Sequence, residues 1–258
     1  MDKDERQLIR LQVFLSHCGL ASRRAAEKFI LDGRVSVNGT VVRELGTKVS
    51  GTETITFDGC ELNLENEMQY LALNKPPFFL CSSYDPENRP LAKDLLPKTI
   101  KQRLYNVGRL DYLSCGLVLF TNDGKFASIV GHPSAQIEKE YIVESPNFIP
   151  ESLLDAFLAG IEIEGEVYKC KAIEKTDRKS IRVVLIEGKN REIRKVFSHF
   201  HLHAKSLCRV RIGQVMLGSL TNGQTRALST SEIESLIRKN QNGKRLPDTK
   251  IAHNTKKV

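Results

Sequence analysis

The residue best suited to chemistry is Asp111, which follows Gly108-Arg109-Leu110 in an irregular segment. It comes just before an apolar run, Gly116–Phe120, that is typical of a buried strand and ends at the turn-forming Thr121-Asn122-Asp123-Gly124. Loops on a buried scaffold often carry catalytic groups, and a carboxylate there is a candidate for nucleophilic or acid–base chemistry. A single loop aspartate is more often a turn residue, and we interpret Asp123 in that way.

Two later segments carry further candidates. Tyr141 lies in the strand-like run Lys139–Val143, and a predicted helix over about residues 191–200 carries Arg191, Arg194 and Lys195. A guanidinium beside a carboxylate keeps it ionised in a partly dry pocket, where burial alone would raise its pKa. It also holds the carboxylate by paired hydrogen bonds. Taken singly, a strand tyrosine is more often packing and a helix arginine is more often solvated.

A His-x-His-x-His run, His199 to His203, could suggest a metal site. That spacing suits a strand, but the run straddles the predicted end of a helix, where residues two apart diverge. We therefore expect a solvated or RNA-facing role and no metal. The cysteines are scattered without a Cys-x-x-Cys pair, which predicts reduced thiols. They are Cys18, Cys60, Cys81, Cys115, Cys170 and Cys208.

The overall charge limits the partners. A net charge of +8 favours a polyanion, either nucleic acid or an anionic membrane surface. The chain has no Trp and only 7% aromatic residues, which argues against gripping single strands by stacking on many aromatics. No apolar stretch is long enough to span a bilayer, and the first ten residues do not resemble a signal peptide. We expect a cytoplasmic protein.

Residues 8–64 predict a small unit of helices and a hairpin. Apolar residues recur at helical spacing over residues 8–15. Ser22 is the predicted N-cap of a second helix over residues 23–31. Asn38-Gly39, between alternating apolar and polar residues, predicts a two-residue hairpin turn.

Arg23 and Arg24 fall in the first turn of that second helix, where the helix dipole disfavours cations. The cost for two exposed arginines is only roughly a few tenths of a kcal/mol, so the placement could carry no meaning. Alternatively, an anionic partner lies there, and Arg34 just beyond the helix adds weight to that interpretation. The charge pattern alone leaves both open.

Together these residues resemble an S4-type RNA-binding module. The resemblance implies two short helices and a small sheet that bind folded RNA through its phosphates, with Arg23, Arg24 and Arg34 as contacts. Phosphate contacts position a protein without reading sequence. The matching segments are Leu11–Leu15, Gly19–Glu27 and Gly33–Gly39.

Residues 68–238 predict a larger domain, and the polar, basic stretch 239–258 predicts a disordered tail. The expected fold class is α+β, with a mixed, mainly antiparallel sheet flanked by helices. Within this domain Phe78–Cys81 is expected to form an apolar strand. The last helix is expected to begin near Ser231, with Glu234 completing a capping box.

Several separated motifs in this domain resemble the Rsu-type branch of ribosomal RNA pseudouridine synthases, over roughly residues 8–237. This branch usually has Thr-Ser before the Gly-Leu that follows its aspartate. Here those positions are Ser114 and Cys115, a change that keeps small residues and one hydroxyl. The motifs are Leu73-Asn74-Lys75-Pro76, Gly108-Arg109-Leu110-Asp111, Lys139-x-Tyr141 and the run from Glu187 to Arg194.

The resemblance implies roles for individual residues. Asp111 would act on the target ribose, by attacking C1′ or by removing a C2′ proton, and these two mechanisms stay open. Tyr141 would stack on the base, Arg194 would pair with the aspartate, and Arg109 would help to flip the base. No metal or other cofactor is needed for this isomerisation. The RNA contacts expected in this domain are Lys75, Arg109, Lys189 and Arg191.

Two other functions compete with this one. A non-catalytic RNA-binding ribosome-assembly factor would share the charge and the first domain, but it predicts the loss of Asp111 or Arg194, and both are present. A nuclease needs a carboxylate cluster for metal ions, and no such cluster is evident. We expect a monomer that acts on structured ribosomal RNA, with 23S RNA favoured over 16S, at a uridine the sequence does not specify.

Overall fold

The structure is a computed structural model that describes residues 8–238 of the 258-residue chain. The tail predicted over residues 239–258 lies outside the described part. No helix within the described residues is long and apolar enough to cross a membrane.

The described chain forms two compact units. The first joins residues 8–128 with Leu217–Leu228, and the second joins Ile129–Met216 with residues 229–238. The domain boundary predicted near residue 65 lies inside the first unit, and a hydrogen bond from the Arg103 guanidinium to the Ala21 carbonyl crosses it.

The first unit begins with a small helical and sheet module. Strands β3, β2, β5 and β6 pair in that order, all antiparallel, and β1 pairs with β4. One apolar core joins both helices to the sheet and contains Leu11, Phe14, Ile30, Val35 and Ile55. The elements are β1 (Ile9–Arg10), α1 (Leu11–His17), α2 (Arg23–Leu31), β2 (Val35–Val37), β3 (Thr40–Val42), β4 (Lys48–Val49), β5 (Ile55–Phe57) and β6 (Cys60–Glu61).

Local sequence signals explain this module. The Ser22 hydroxyl accepts a hydrogen bond from the Ala25 amide at 3.2 Å, so Ser22 is the N-cap of α2 as predicted. Asn38 and Gly39 have φ values of 50° and 80°, the positive pair that a tight hairpin turn requires. The predicted helix over residues 23–31 and the predicted hairpin are both confirmed.

The rest of the chain supplies the larger sheet elements. A short 3-10 helix, Ala92–Leu95, separates the first two strands. In chain order the elements are β7 (Tyr70–Lys75), β8 (Tyr105–Val107), β9 (Cys115–Thr121), α3 (Gly124–Gly131), β10 (Lys139–Glu144), α4 (Glu151–Ala159), β11 (Ile161–Ile163), β12 (Glu166–Tyr168), β13 (Ala172–Asp177), β14 (Ser180–Leu185), α5 (Glu192–His199), β15 (Ser206–Ile212), β16 (Val215–Met216), β17 (Thr225–Ala227) and α6 (Thr230–Arg238).

Each unit has its own antiparallel ladder. In the first unit β7 pairs with β9 and β17, and β8 pairs with β9. In the second unit the order is β13, β14, β10, β15 and β16, and β11 pairs with β12 as a hairpin. Ile181, Val183 and Leu185 are buried at alternate positions of β14, so one face of that strand meets the core. The predicted α+β class is confirmed.

One predicted strand is absent. Phe78–Cys81 forms a turn in which Phe78 has a φ of +66° and only Leu80 makes a single bridge, to Leu91. The Pro76-Pro77 pair lacks two amide donors, and the positive φ at Phe78 breaks an extended run. The prediction of a strand there is wrong.

The capping box of the last helix is displaced. The helix begins at Thr230, and the Ser229 hydroxyl accepts the Glu232 amide at 3.2 Å while the Glu232 carboxylate accepts the Ser229 amide at 2.9 Å. A capping box is present at this helix, but it is formed by Ser229 and Glu232 and not by Ser231 and Glu234. The same Ser-x-x-Glu pattern occurs twice in residues 229–234, starting two residues apart, and the earlier copy caps the helix.

Candidate active site

The loop between β8 and β9 presents Asp111 to solvent. Its main chain is fixed, because the Asp111 carbonyl accepts the Ser114 amide at 3.0 Å and the Leu110 amide donates to the Cys81 sulfur at 3.4 Å. The Leu110 side chain is buried, whereas Asp111 itself is exposed. The loop therefore combines a positioned backbone with an accessible carboxylate, and the predicted catalytic role of Asp111 stays a prediction.

The turn after β7 supports this loop. Lys75, at the end of β7, is completely buried, and its ammonium donates to the carbonyls of Pro76 at 2.8 Å and Phe79 at 2.9 Å. The Phe78 amide in turn donates to the Tyr112 carbonyl at 2.6 Å. This burial does not favour a contact with a phosphate, and the predicted contact of Lys75 with RNA stays a prediction. Its contacts are those of a scaffold residue.

An ion pair beside the loop escaped the sequence analysis. The Asp85 carboxylate accepts three hydrogen bonds from Arg89, two from its guanidinium and one from its amide. These hydrogen bonds lower the pKa of Asp85 to about 2. The Arg89 guanidinium lies 5.9 Å from the centre of the Tyr112 ring, whose other neighbour is the Phe78 ring at 5.7 Å. The i,i+4 spacing of Asp85 and Arg89 was the available signal. Arg109, predicted to contact RNA, is exposed in the same loop.

In the second unit the central residue is Tyr141 on β10. It is only 7% exposed and lies opposite Arg209 of β15, which is 3% exposed. Lys139, two residues earlier, donates to two backbone carbonyls at 3.1 Å. Burial and the nearby charge of Arg209 lower the pKa of Lys139, and Glu192 opposes this. Arg209 and Lys139 thus form a partly buried, positively charged cluster around Tyr141.

Helix α5 positions Arg194 and Arg191. Arg194 is partly buried, and its guanidinium donates to the Ala204 carbonyl at 2.9 Å. Arg191 is exposed at the N-cap, with a φ of +51°. Glu192 is buried, which raises the pKa of its carboxyl group, and it accepts the Lys189 amide at 3.2 Å. The predicted roles of Arg191 and Arg194 stay predictions.

Lys189 is attached to the β11–β12 hairpin. Its ammonium donates to the Val167 carbonyl at 2.6 Å and lies 3.6 Å from the Glu166 carboxylate, and its side chain is 30% exposed. Nearby, Lys195 donates to the Tyr168 hydroxyl at 2.7 Å. These contacts give Lys189 a structural partner that the sequence did not indicate. Its predicted contact with RNA would require one of the remaining ammonium protons.

The predicted RNA contacts of the first module differ in their surroundings. Arg23 and Arg24 are exposed in the first turn of α2, which contains no acidic residue. Arg34 is paired through two hydrogen bonds with Asp58. Its guanidinium also lies over the rings of Phe29 and Phe57, at 4.9 and 4.4 Å from their centres. Among residues 8–238, Arg34 therefore has an acidic partner, whereas Arg23 and Arg24 lie in a helix turn without acidic residues.

The segment that leaves the module is tied to the end of β9 by Asn122. The Asn122 amide group is buried, accepts the Gln69 amide at 2.8 Å, and donates to the Glu65 carboxylate at 2.6 Å and the Glu67 carbonyl at 3.0 Å. The Glu65 carboxylate also accepts the Arg103 amide at 3.3 Å. We call Glu65 and Asn122 the junction pair. They join residues that lie 57 positions apart in the chain.

Asp123 does more than form a turn. One carboxylate oxygen accepts the Lys125 and Phe126 amides and so caps α3, while the other accepts the Tyr70 hydroxyl at 2.8 Å. His17 of the first module lies within electrostatic range of Asp123. Burial lowers the pKa of His17 below its ordinary value, and the Asp123 charge partly opposes this. The turn after β9 thus connects three parts of the first unit.

Among residues 8–238 no group of three or more His, Cys, Asp or Glu side chains is placed to hold a metal ion. In the histidine run, His199 ends α5 and His201 has a φ of +57°, so the run bends where the helix stops. The cysteines are free thiols, and burial raises the pKa of both Cys18 and Cys170 to about 11.

Known proteins resemble this chain over most of its length. A family model described as RNA pseudouridylate synthase matches residues 69–199, and one described as S4 domain matches residues 9–55. A Borreliella burgdorferi protein named an uncharacterized RNA pseudouridine synthase is 43% identical over 232 residues, 88% of this chain and 92% of the relative. Bacillus subtilis ribosomal large subunit pseudouridine synthase B is 37% identical over 233 residues, 88% of this chain and 95% of its own. A crystal structure of a pseudouridylate synthase aligns with a TM-score of 0.66 and 30% identity, over 88% of this chain and 99% of that one.

Proposed function

The chain belongs to the RNA pseudouridylate synthase family, and we propose that it isomerises one specific uridine of ribosomal RNA to pseudouridine. The observation that carries this substrate class is the 37% identity, across most of both chains, with a protein named for the large ribosomal subunit. The S4 domain at the N-terminus supports a structured RNA. We further propose 23S RNA over 16S RNA, a monomeric enzyme and a cytoplasmic location.

The proposed reaction starts at Asp111. Its carboxylate either attacks C1′ of the target ribose or removes the C2′ proton, and the bond between N1 and C1′ then breaks. The uracil turns and C5 bonds to C1′, which releases the Asp111 carboxylate from C1′ in the first route; in the second route Asp111 returns the proton to C2′. C5 then loses its proton and N1 gains one, so the product is an isomer of the substrate. An exposed carboxylate on a fixed loop supports this role, because a reactive group must be both accessible and oriented.

The target base has to leave the RNA stack before Asp111 can reach its ribose. Flipping a base costs about a few kcal/mol, and stacking on an aromatic face returns about 1–3 kcal/mol. We propose that Arg109, exposed beside Asp111, assists the flip and that Tyr141 receives the base. The proposed partner of the catalytic aspartate is Arg194, because a planar guanidinium can hold a carboxylate by paired hydrogen bonds.

Tritium release tests the proposed function directly. Ribosomal RNA labelled with tritium at uridine C5 releases that tritium only when C5 exchanges its hydrogen for a bond to C1′. The purified protein should release one equivalent per rRNA molecule, and Asp111→Asn should release none while binding the RNA with nearly unchanged affinity. No release by the wild-type protein would favour the non-catalytic assembly factor. A strong loss of binding in Asp111→Asn would instead assign Asp111 a structural role.

A further inference from the structure

A groove of about 420 Å³ lies in the first unit, between the 3-10 helix Ala92–Leu95 and the segment that enters β8. We call it the 93–104 groove, after the range of its lining residues. Its charged lining consists of Lys93, Lys98 and Arg103 against a single carboxylate, Asp94. That carboxylate already accepts the Leu91 amide at 3.3 Å. The groove is therefore positively charged, and none of its residues belongs to the site described above.

One wall of the groove is joined to the turn that supports Asp111. The Ala92 amide donates to the Leu80 carbonyl at 2.8 Å, and Leu80 forms a bridge with Leu91. The neighbouring Cys81 accepts the Leu110 amide, next to Asp111. The other wall continues into β8, which ends at Val107, four residues before Asp111. Both walls thus lead to the loop that carries the proposed catalytic carboxylate.

The opposite end of the groove reaches the first module. The Arg103 guanidinium donates to the Ala21 carbonyl at 3.3 Å, beside the N-cap of α2. Arg23 lies within electrostatic range of Tyr105, whose pKa burial raises to about 12 while Arg103 and Arg23 oppose that rise. Arg103 thus links one end of the groove to the segment that leads into α2.

We propose that the 93–104 groove binds the phosphate backbone of the substrate RNA, between the part held by the S4 domain and the target uridine. This inference rests on the proposed function. Glu67 accepts a hydrogen bond from the Gln102 side chain and Glu65 accepts one from the Arg103 amide, but the charged side chains of the lining are three cations and one carboxylate. Such an excess of cations suits a polyanion, and phosphate contacts fix register without reading bases. The groove thereby sets how far the target uridine lies from the RNA held at α2.

Lys98 is the residue with which to test this. It is exposed and lines the groove, so its replacement should leave the fold unchanged. Lys98→Ala should weaken binding to a 23S RNA fragment about three- to tenfold and lower the slope of log affinity against log salt by about 1, the value for one lost phosphate contact. Lys98→Arg, which keeps the positive charge, should restore both quantities. The matched control is Lys179→Ala, an exposed lysine in the turn between β13 and β14.

The outcomes separate the groove from the proposed function. If Lys98→Ala binds RNA with the same affinity and the same salt slope as Lys179→Ala, the groove does not bind the backbone and the inference is overturned, while tritium release by the wild-type protein still supports the enzyme. A wild-type protein without tritium release would contradict the proposed function whatever the groove does. An equal loss of affinity in both lysine variants would indicate a diffuse charge effect, which also overturns the inference.

Discussion

Replacing Asn122 by alanine should destabilise the first unit by about 3 kcal/mol. The substitution removes three hydrogen bonds of a side chain that is 6% exposed. Two of them join neutral groups and contribute about 1 kcal/mol each, and the third, to the Glu65 carboxylate, contributes about 2 kcal/mol. Water that enters the vacated space recovers part of this loss. Without such a water, the Gln69 amide and the Glu65 carboxylate would each lose a hydrogen-bond partner.

Asn122→Asp tests the electrostatic part of the same contact. Its carboxylate would still accept the Gln69 amide, but it would face the Glu65 carboxylate where the wild type has a donor at 2.6 Å. Two close carboxylates cannot both ionise cheaply, so one acquires a raised pKa. The folded state then binds a proton more tightly than the unfolded state, and the stability of this variant relative to wild type should recover as the pH falls towards about 4.

The assay is denaturant unfolding followed by circular dichroism, since the chain has no Trp to report by fluorescence. Hydrogen exchange of peptides around residues 65–70 and 120–128 locates the loss in the first unit. Asn147→Ala is the matched control, because Asn147 is exposed and makes its contact with Ser145 through its backbone amide. A stability of Asn122→Ala within about 0.5 kcal/mol of this control would refute the reasoning.

Lys75, the arginines at the start of α2 and His17 each allow a further test. Lys75→Met should reduce kcat, because the turn that supports Asp111 loses two hydrogen bonds. The slope of log RNA affinity against log salt should stay unchanged, and a slope lower by about 1 would instead indicate that Lys75 contacts a phosphate. Arg23→Ala combined with Arg24→Ala should lower that slope by about 2 and weaken binding at least tenfold, and an unchanged slope would remove the start of α2 from the RNA surface. The pKa of His17 is lower in the folded state than its ordinary value of 6.5, so the stability present above pH 6.5 is lost as the pH falls from 6.5 towards the lower folded-state pKa. Thermal unfolding of His17→Gln should lack this decline, and a pH profile parallel to that of the wild type would contradict the prediction.

The parts of the fold that the sequence predicted are those with local causes. The N-cap at Ser22 and the turn at Asn38-Gly39 depend on residues within four positions of each other, and both occur where predicted. The turn at Phe78 depends on a hydrogen bond to Tyr112, 34 residues later, and no local pattern encodes that partner. A short apolar run after two prolines therefore predicts a strand that the folded chain does not form.

The same distinction between local causes and long-range partners applies to the candidate site. A buried strand after an irregular loop indicated where Asp111 would be, because burial of the strand is encoded in its own apolar residues. The burial of Lys75 was not encoded in that way, since its carbonyl partners become available only once the turn after β7 has folded. The junction pair of Glu65 and Asn122 depends on two segments that are far apart in the chain. Charge and spacing reveal a cation or an amide, but its partner is decided by tertiary structure.

The most direct test of the proposed function is to map pseudouridine across the ribosomal RNA of cells that carry or lack this gene. We expect one site, in the large-subunit RNA, that disappears with the gene, returns with the wild-type copy and does not return with Asp111→Asn. An identical map in both strains, or a site that Asp111→Asn restores, would contradict it.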